Sequence, residues 1–114
     1  MLKKSMRMSR KDLERFFKRK SFGARGKTLS ARVSENRIGA ARFAFVVSGP
    51  KNRGAALRNL AKRRMSAAAE EFYKTAKSRP AHRSGRDIVF FMKIPDRRVP
   101  EFKIIKEDVK HVLA

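Results

Sequence analysis

Between residues 28 and 34 the chain alternates, with Leu29, Ala31 and Val33 on one side and Thr28, Ser30, Arg32 and Ser34 on the other. A period of two marks a strand with one face in a core and one in water. The run RFAFVVS at 42–48 predicts a second strand, and its Phe and Val content suggests a central place in a sheet. A turn over 36–39 separates the two, which are close enough to pair as antiparallel neighbours. Residues 87–93 hold the continuous run IVFFM, long enough for a strand buried on both faces, and Pro95 ends it.

Three other stretches follow a helical period. Ser9 and Asp12 have the spacing of a capping box, with Met8 and Leu13 placed as a hydrophobic staple. A helix starting there gathers Leu13, Phe16 and Phe17 on one side and leaves Arg15, Lys18 and Arg19 toward solvent, until Gly23 and Gly26 interrupt it. From 55 to about 73, Leu57, Ala61, Met65, Ala68 and Phe72 converge at 100° per residue. Arg58, Asn59, Lys62, Arg63 and Ser66 occupy the opposite arc, with Leu60 and Arg64 near the boundary. After Pro100, Phe102, Ile105, Val109 and Val112 recur at helical spacing with Ile104 and Leu113 alongside, and the mixed charges there point to a structural helix. Residues 78–86 read as a loop.

The order is therefore helix, two strands, helix, strand, helix. At 114 residues this is one domain, residues 1–114. A strand, helix and strand in succession require a crossover beside a sheet, which favours an α+β sandwich over a helical bundle; the default hand of that crossover is right.

Charge changes the picture from fold to partner. Lys and Arg number 31 against 10 Asp and Glu, a formal net charge of +21. Such a surplus repels itself in a compact chain unless a polyanion neutralises it. The 41% hydrophobic content and nine Phe argue against wholesale disorder. No apolar run is long enough to span a bilayer, and the basic first twenty residues do not look like a secretory leader. The apolar stripes are better used in one core than on a membrane surface. With no Cys, disulfides and thiolate zinc sites are excluded, and a cytoplasmic location is expected. His82 and His111 lack metal or catalytic spacing, so no protein catalytic or metal residues are expected.

The segment 51–64, KNRGAALRNLAKRR, turns the charge into a surface. It holds Lys51, Arg53, Arg58, Lys62, Arg63 and Arg64 with no acidic residue, and it runs into an amphipathic helix whose other face anchors it. Cations held this way meet several phosphates without the cost of ordering a loose tail. Asn59 either hydrogen-bonds RNA or organises the helix start. A second surface combines the first helix with the sheet. Arg15, Lys18 and Arg19 suit backbone contacts, whereas Phe16 and Phe17 either stack on unpaired bases or belong to the core. Thr28, Ser30 and Arg32 would lie under a single strand if no helix covers them. A DNA-binding protein is the weaker reading, since the helix has few residues besides Asn59 and Arg63 suited to base edges.

These features together resemble the protein subunit of bacterial ribonuclease P over nearly the full length. Arg58, Asn59, Lys62 and Arg63 match its Arg-Asn-Arg-x-Lys-Arg segment, RFAFVVS matches the strand before it, and DLERFFK at 12–18 looks like its first-helix motif. Leu60 stands where the second Arg of that segment is usual, Leu13 replaces the first Phe of the helix motif, Gly49 and Pro50 replace a Lys pair, and Ser66 takes an often basic position. The resemblance implies an α+β two-layer sandwich of about four strands and three helices, with a left-handed βαβ crossover in place of the default. It also implies endonucleolytic 5′ maturation of precursor tRNA by a catalytic RNA that uses a divalent ion, expected as Mg²⁺. The protein would act as an accessory subunit, one per RNA, binding the catalytic RNA through Lys51, Arg53, Arg58, Asn59, Lys62 and Arg63. Phe17 and nearby sheet residues, with Phe16 and Arg32 in the same region, would bind the precursor's 5′ leader. A ribosomal or other RNA-assembly protein remains the alternative.

Overall fold

The capping box at Ser9 forms in both directions. The Ser9 N–H donates to Asp12 Oδ2 at 2.9 Å and the Asp12 N–H to Ser9 Oγ at 3.1 Å, opening α1 (Arg10–Phe17). This is a computed structural model, and it describes residues 4–36, 41–49, 54–75, 85–94 and 98–113. The expected 36–39 turn, apart from Asn36, lies outside those residues, as do Pro50, Lys51, Arg53, His82 and Pro95. The 78–86 loop is described only at Gly85 and Arg86.

After α1 the chain forms a strand that the sequence pattern does not predict, β1 (Phe22–Arg25). All four residues are exposed and carry no alternation, so the period-two signal is absent. What makes them a strand is a partner: Phe22 to Arg25 pair antiparallel with Val33 to Ser30 of β2 (Leu29–Glu35). The connecting turn is closed by the Gly26 N–H on Leu29 O at 2.8 Å.

The strands are ordered β1-β2-β4-β3. Here β3 is Arg42–Ser48, and β4 is Arg86–Lys93. This corrects the expected hairpin between residues 28–34 and 42–48: β4 lies between β2 and β3, antiparallel to the first and parallel to the second. The central place expected for β3 is likewise β4's. Ile88, Val89 and Phe90 are buried consecutively, so β4 has to be covered on both faces, while Ala44 to Val47 tolerate half-exposure at the edge. The link from β3 to its parallel neighbour runs through α2 (Ala55–Thr75), the expected strand-helix-strand crossover. The N-terminal segment meets the start of β3 on its outer edge, where Arg7 bridges Phe43 and the Met8 N–H donates to Phe43 O at 2.9 Å.

Ala61, Met65, Ala68 and Phe72 of α2 are buried as their spacing requires. They share one core with Phe43, Ile88, Phe90 and Met92 of the sheet and with Ile105, Val109 and Val112 of α3 (Phe102–Leu113). Phe102, placed on that stripe by spacing, is exposed instead, as are all residues from 101 to 104, because packing begins only at Ile105. Asp108 takes an inward position on α3 and reaches the β1–β2 turn, accepting from the Lys27 N–H at 3.1 Å, the Thr28 N–H at 2.6 Å and the Thr28 hydroxyl. A Cβ on Gly26 would come within 3.0 Å of that carboxylate, so glycine permits the approach. The sheet with α2 and α3 on one face makes the expected two-layer sandwich.

Candidate nucleic-acid interface

Strand alternation leaves the other face of the sheet for function. Ile88, Phe90 and Met92 point into the helical core, so Asp87, Val89 and Phe91 point away from it. The registers set Ser30 opposite Phe91, Arg32 opposite Val89 and Val46 beside Phe91, giving a second face of mixed apolar and polar character. Over one part of it lies α1. Phe16 is 1% exposed and Phe17 is 55% exposed. The ring of Phe17 lies 6.2 Å from that of Phe91, tilted by 48°, and Phe16 meets Phe17 edge-on at 5.7 Å.

The resulting cleft has α1 as a wall and Phe91 in its floor. Beside Phe91 two shallow depressions of about 400 Å³ each are bordered by Arg25, Arg32, Lys27 and Lys93, with no acidic residue among the described lining. Arg32 lies along this surface, its Nε donating to Ser21 Oγ at 2.8 Å, and a residue larger than Gly23 would approach its guanidinium. An extended chain with exposed bases and a charged backbone fits a trough of this kind: aromatic faces stack and flanking cations meet phosphate. Of the two Phe expected here, only Phe17 has a free face; Phe16 supports it from the core.

Asp87 holds the wall in place. Its buried carboxylate accepts from Arg42 Nε at 2.8 Å and Nη2 at 2.9 Å, from Asn36 Nδ2 at 2.7 Å and from Arg19 Nη2 at 2.7 Å. Burial by itself would raise the Asp87 pKa, but the hydrogen bonds from Arg42, Asn36 and Arg19 outweigh it and keep the carboxyl below its ordinary value. Arg42 also pairs with Asp12 at 3.1 Å, so α1 is tied to the sheet near its N-terminus through Asp12 and just past its C-terminus through Arg19. The Asp12 pKa is lowered as well, chiefly by the Ser9 N–H. Arg19, expected as a backbone contact, is thus engaged with Asp87 and with Glu35 O, the latter at 3.0 Å. Arg15 and Lys18 are exposed and border a separate hollow with Asp12, Arg19, Glu35, Asn36 and Arg42.

On α2, Asn59, Lys62 and Arg63 are exposed and Arg58 is half-buried. Arg64 bends the other way, its Nη1 donating to Val99 O at 3.2 Å and Pro100 O at 2.8 Å, so it braces the entry to α3. Lys51 and Arg53 lie outside the described residues. The basic face is therefore carried by a helix on one side of the sheet, whereas the aromatic cleft opens on the other, and the two surfaces are distinct. Among the described residues no group of His, Asp or Glu is arranged to hold a metal ion. No helix among them is long and apolar enough to cross a membrane.

Phe91 and Asp87 are the residues of this candidate site that the sequence pattern does not single out. Phe91 is hidden inside an apolar run, and only the polar partners Ser30 and Arg32 on the neighbouring strand mark that face as open. Asp87, an acidic residue heading a buried run, is a visible signal without an evident partner.

No family model and no curated protein sequence matches the chain. Solved structures do. A Staphylococcus aureus RNase P protein mutant with defective mRNA degradation activity is 25% identical, with 96% of this chain and 86% of that one covered and a TM-score of 0.63. Two further structures of Staphylococcus aureus RNase P protein match at 23% and 20% identity and TM-scores of 0.61 and 0.55. They cover 96% and 99% of this chain and 94% and 90% of their own. The likeness to the bacterial ribonuclease P protein read from residues 58–63 and the order of elements is thus found again in three dimensions, and the α+β fold is shared.

Proposed function

We propose that this chain is the protein subunit of a bacterial ribonuclease P, binding a catalytic RNA and the 5′ leader of precursor tRNA to assist endonucleolytic 5′ maturation. The observation that carries the reading is the surface beside the paired rings of Phe17 and Phe91, set in a fold similar to RNase P protein over 96% of the chain. Single-stranded leader lies along the sheet with bases against Phe17 and Phe91 and phosphates near Arg25, Arg32 and Lys93. The catalytic RNA meets Arg58, Asn59, Lys62 and Arg63 on α2, with Lys51 and Arg53 adjoining, one protein to one RNA in the cytoplasm.

In this reading the protein supplies binding and orientation, not bond breaking. The carboxylates of Asp12 and Asp87 are occupied by arginines, and the described residues offer no metal-binding group. Mg²⁺ is expected to be bound mainly by the catalytic RNA.

Reconstitution with the catalytic RNA of the same organism tests this. At low Mg²⁺ the protein should raise the cleavage rate and affinity for a precursor with a leader of several nucleotides, and do less for one whose leader is a single nucleotide. A structured-RNA assembly protein would bind RNA yet leave cleavage unchanged at every Mg²⁺ concentration, and that outcome would reject the proposal.

A further inference from the structure

A groove distinct from the cleft opens where α1 begins. It runs between the N-terminal segment and α2 over the outer edge of β3, with a volume of about 570 Å³, within the range of ligand pockets. Its walls are mainly apolar, including Met8, Leu13, Phe45 and Ala67, whereas Arg7, Arg10, Lys62 and Arg63 stand around it, and no acidic residue is among the described lining. Lys62, Arg63, Ser66 and Ala67 recur at three- and four-residue intervals, so one stripe of α2 presents both the cations and the small residues that leave the groove open.

The floor has hydrogen-bonding capacity as well. The Met8 N–H bonds Phe43 O on the outer edge of β3, and among the described residues no strand pairs with that edge further along. By strand alternation the N–H and C=O of Phe45 face the same way as those of Phe43, toward the groove. An apolar slot, an exposed peptide edge and a ring of cations match the three parts of a nucleotide: base face, base edge and phosphate.

We propose that this groove takes an unpaired nucleotide of the RNA bound by α2, its base inserted between Leu13 and Ala67 and its flanking phosphates held by Arg7, Arg10, Lys62 and Arg63. The inference rests on the proposed function for the identity of the RNA. It adds that α1 and α2 jointly form a base socket, so that the interface reads more than phosphate. Small Ser66 and Ala67 on α2 then have a purpose: a larger side chain at either position would close the slot.

Because the chain has no Cys, Ala67→Cys places a single thiol in the groove. Ala67 is exposed on the helix, and alkylating the folded variant with N-ethylmaleimide fills the slot without asking the chain to refold around it. Alkylation should weaken binding to the catalytic RNA about tenfold, the loss expected when one stacked base is displaced. The dependence of affinity on salt should stay the same, since no cation is removed. Glu107→Cys on the exposed side of α3, alkylated identically, serves as the control and should bind as before. Equal affinity before and after alkylation of the thiol at position 67 would overturn the socket, as would a change confined to the salt slope. If alkylation has no effect but precursor cleavage is still stimulated, only the socket fails; if cleavage is never stimulated, the proposed function fails first.

Discussion

Asp87 gathers hydrogen bonds from three segments, accepting from Arg19, Asn36 and Arg42 while fully buried. Removing its charge leaves Arg42 without its main partner in a half-buried position, though Asp12 still pairs with it. Breaking a buried pair from one side costs about 3–5 kcal/mol, and residual hydration of Arg19 and the Asp12 pairing place Asp87→Asn near the lower end. Urea unfolding should show a drop of about 3 kcal/mol, and a variant as stable as the parent would mean that the network contributes nothing to docking α1. That dependence is not legible from residue order: Arg19, Arg42 and Asp87 lie far apart in the chain, and their meeting is decided by the placement of β4.

At the scale of elements, α2 is the helix whose two faces are most fully readable, because a period of 3.6 sorts Ala61, Met65, Ala68 and Phe72 from Arg58, Lys62 and Arg63 without reference to anything else. Arg64 shows the limit, since its boundary position lets it turn to the carbonyls of Val99 and Pro100. The basic face predicts its own measurement. Arg58→Ala with Lys62→Ala should weaken binding to the catalytic RNA, and the slope of log affinity against log salt should fall by about one for each phosphate no longer neutralised. An unchanged slope in the folded double variant would remove α2 from the interface. By contrast β1 could not be read, because an exposed four-residue edge strand owes its conformation to β2 and to the Asp108 clamp on its turn.

For the whole molecule, two buried carboxylates link charge state to stability. Asp87 and Asp108 each have a pKa depressed in the folded chain: burial pushes both upward, but hydrogen bonds from Arg42, Asn36 and Arg19 in one case and from Thr28, Lys27 and Leu29 in the other prevail. A depressed folded-state pKa adds stability that is present above the unfolded-state value and disappears as pH falls through the folded-state one. The thermal midpoint should therefore be insensitive to these groups above about pH 5 and decline below about pH 4. Asp108→Asn should show a shallower decline than the parent, and identical acid profiles would dissociate Asp108 from the transition.

Local periodicity and composition were enough to establish the three helices, strands β2, β3 and β4, the basic face of α2 and the charge surplus that raises the expectation of a polyanionic partner, because those properties depend on residues a few positions apart and on summed charge. Strand order, the existence of β1, the cleft beside Phe91, the docking of α1 by Asp87 and the groove beside Ala67 were decided by tertiary structure alone. Each depends on which distant segments become neighbours, and that choice follows from burying the most apolar strand, β4, between two others, a competition among strands that no single segment records.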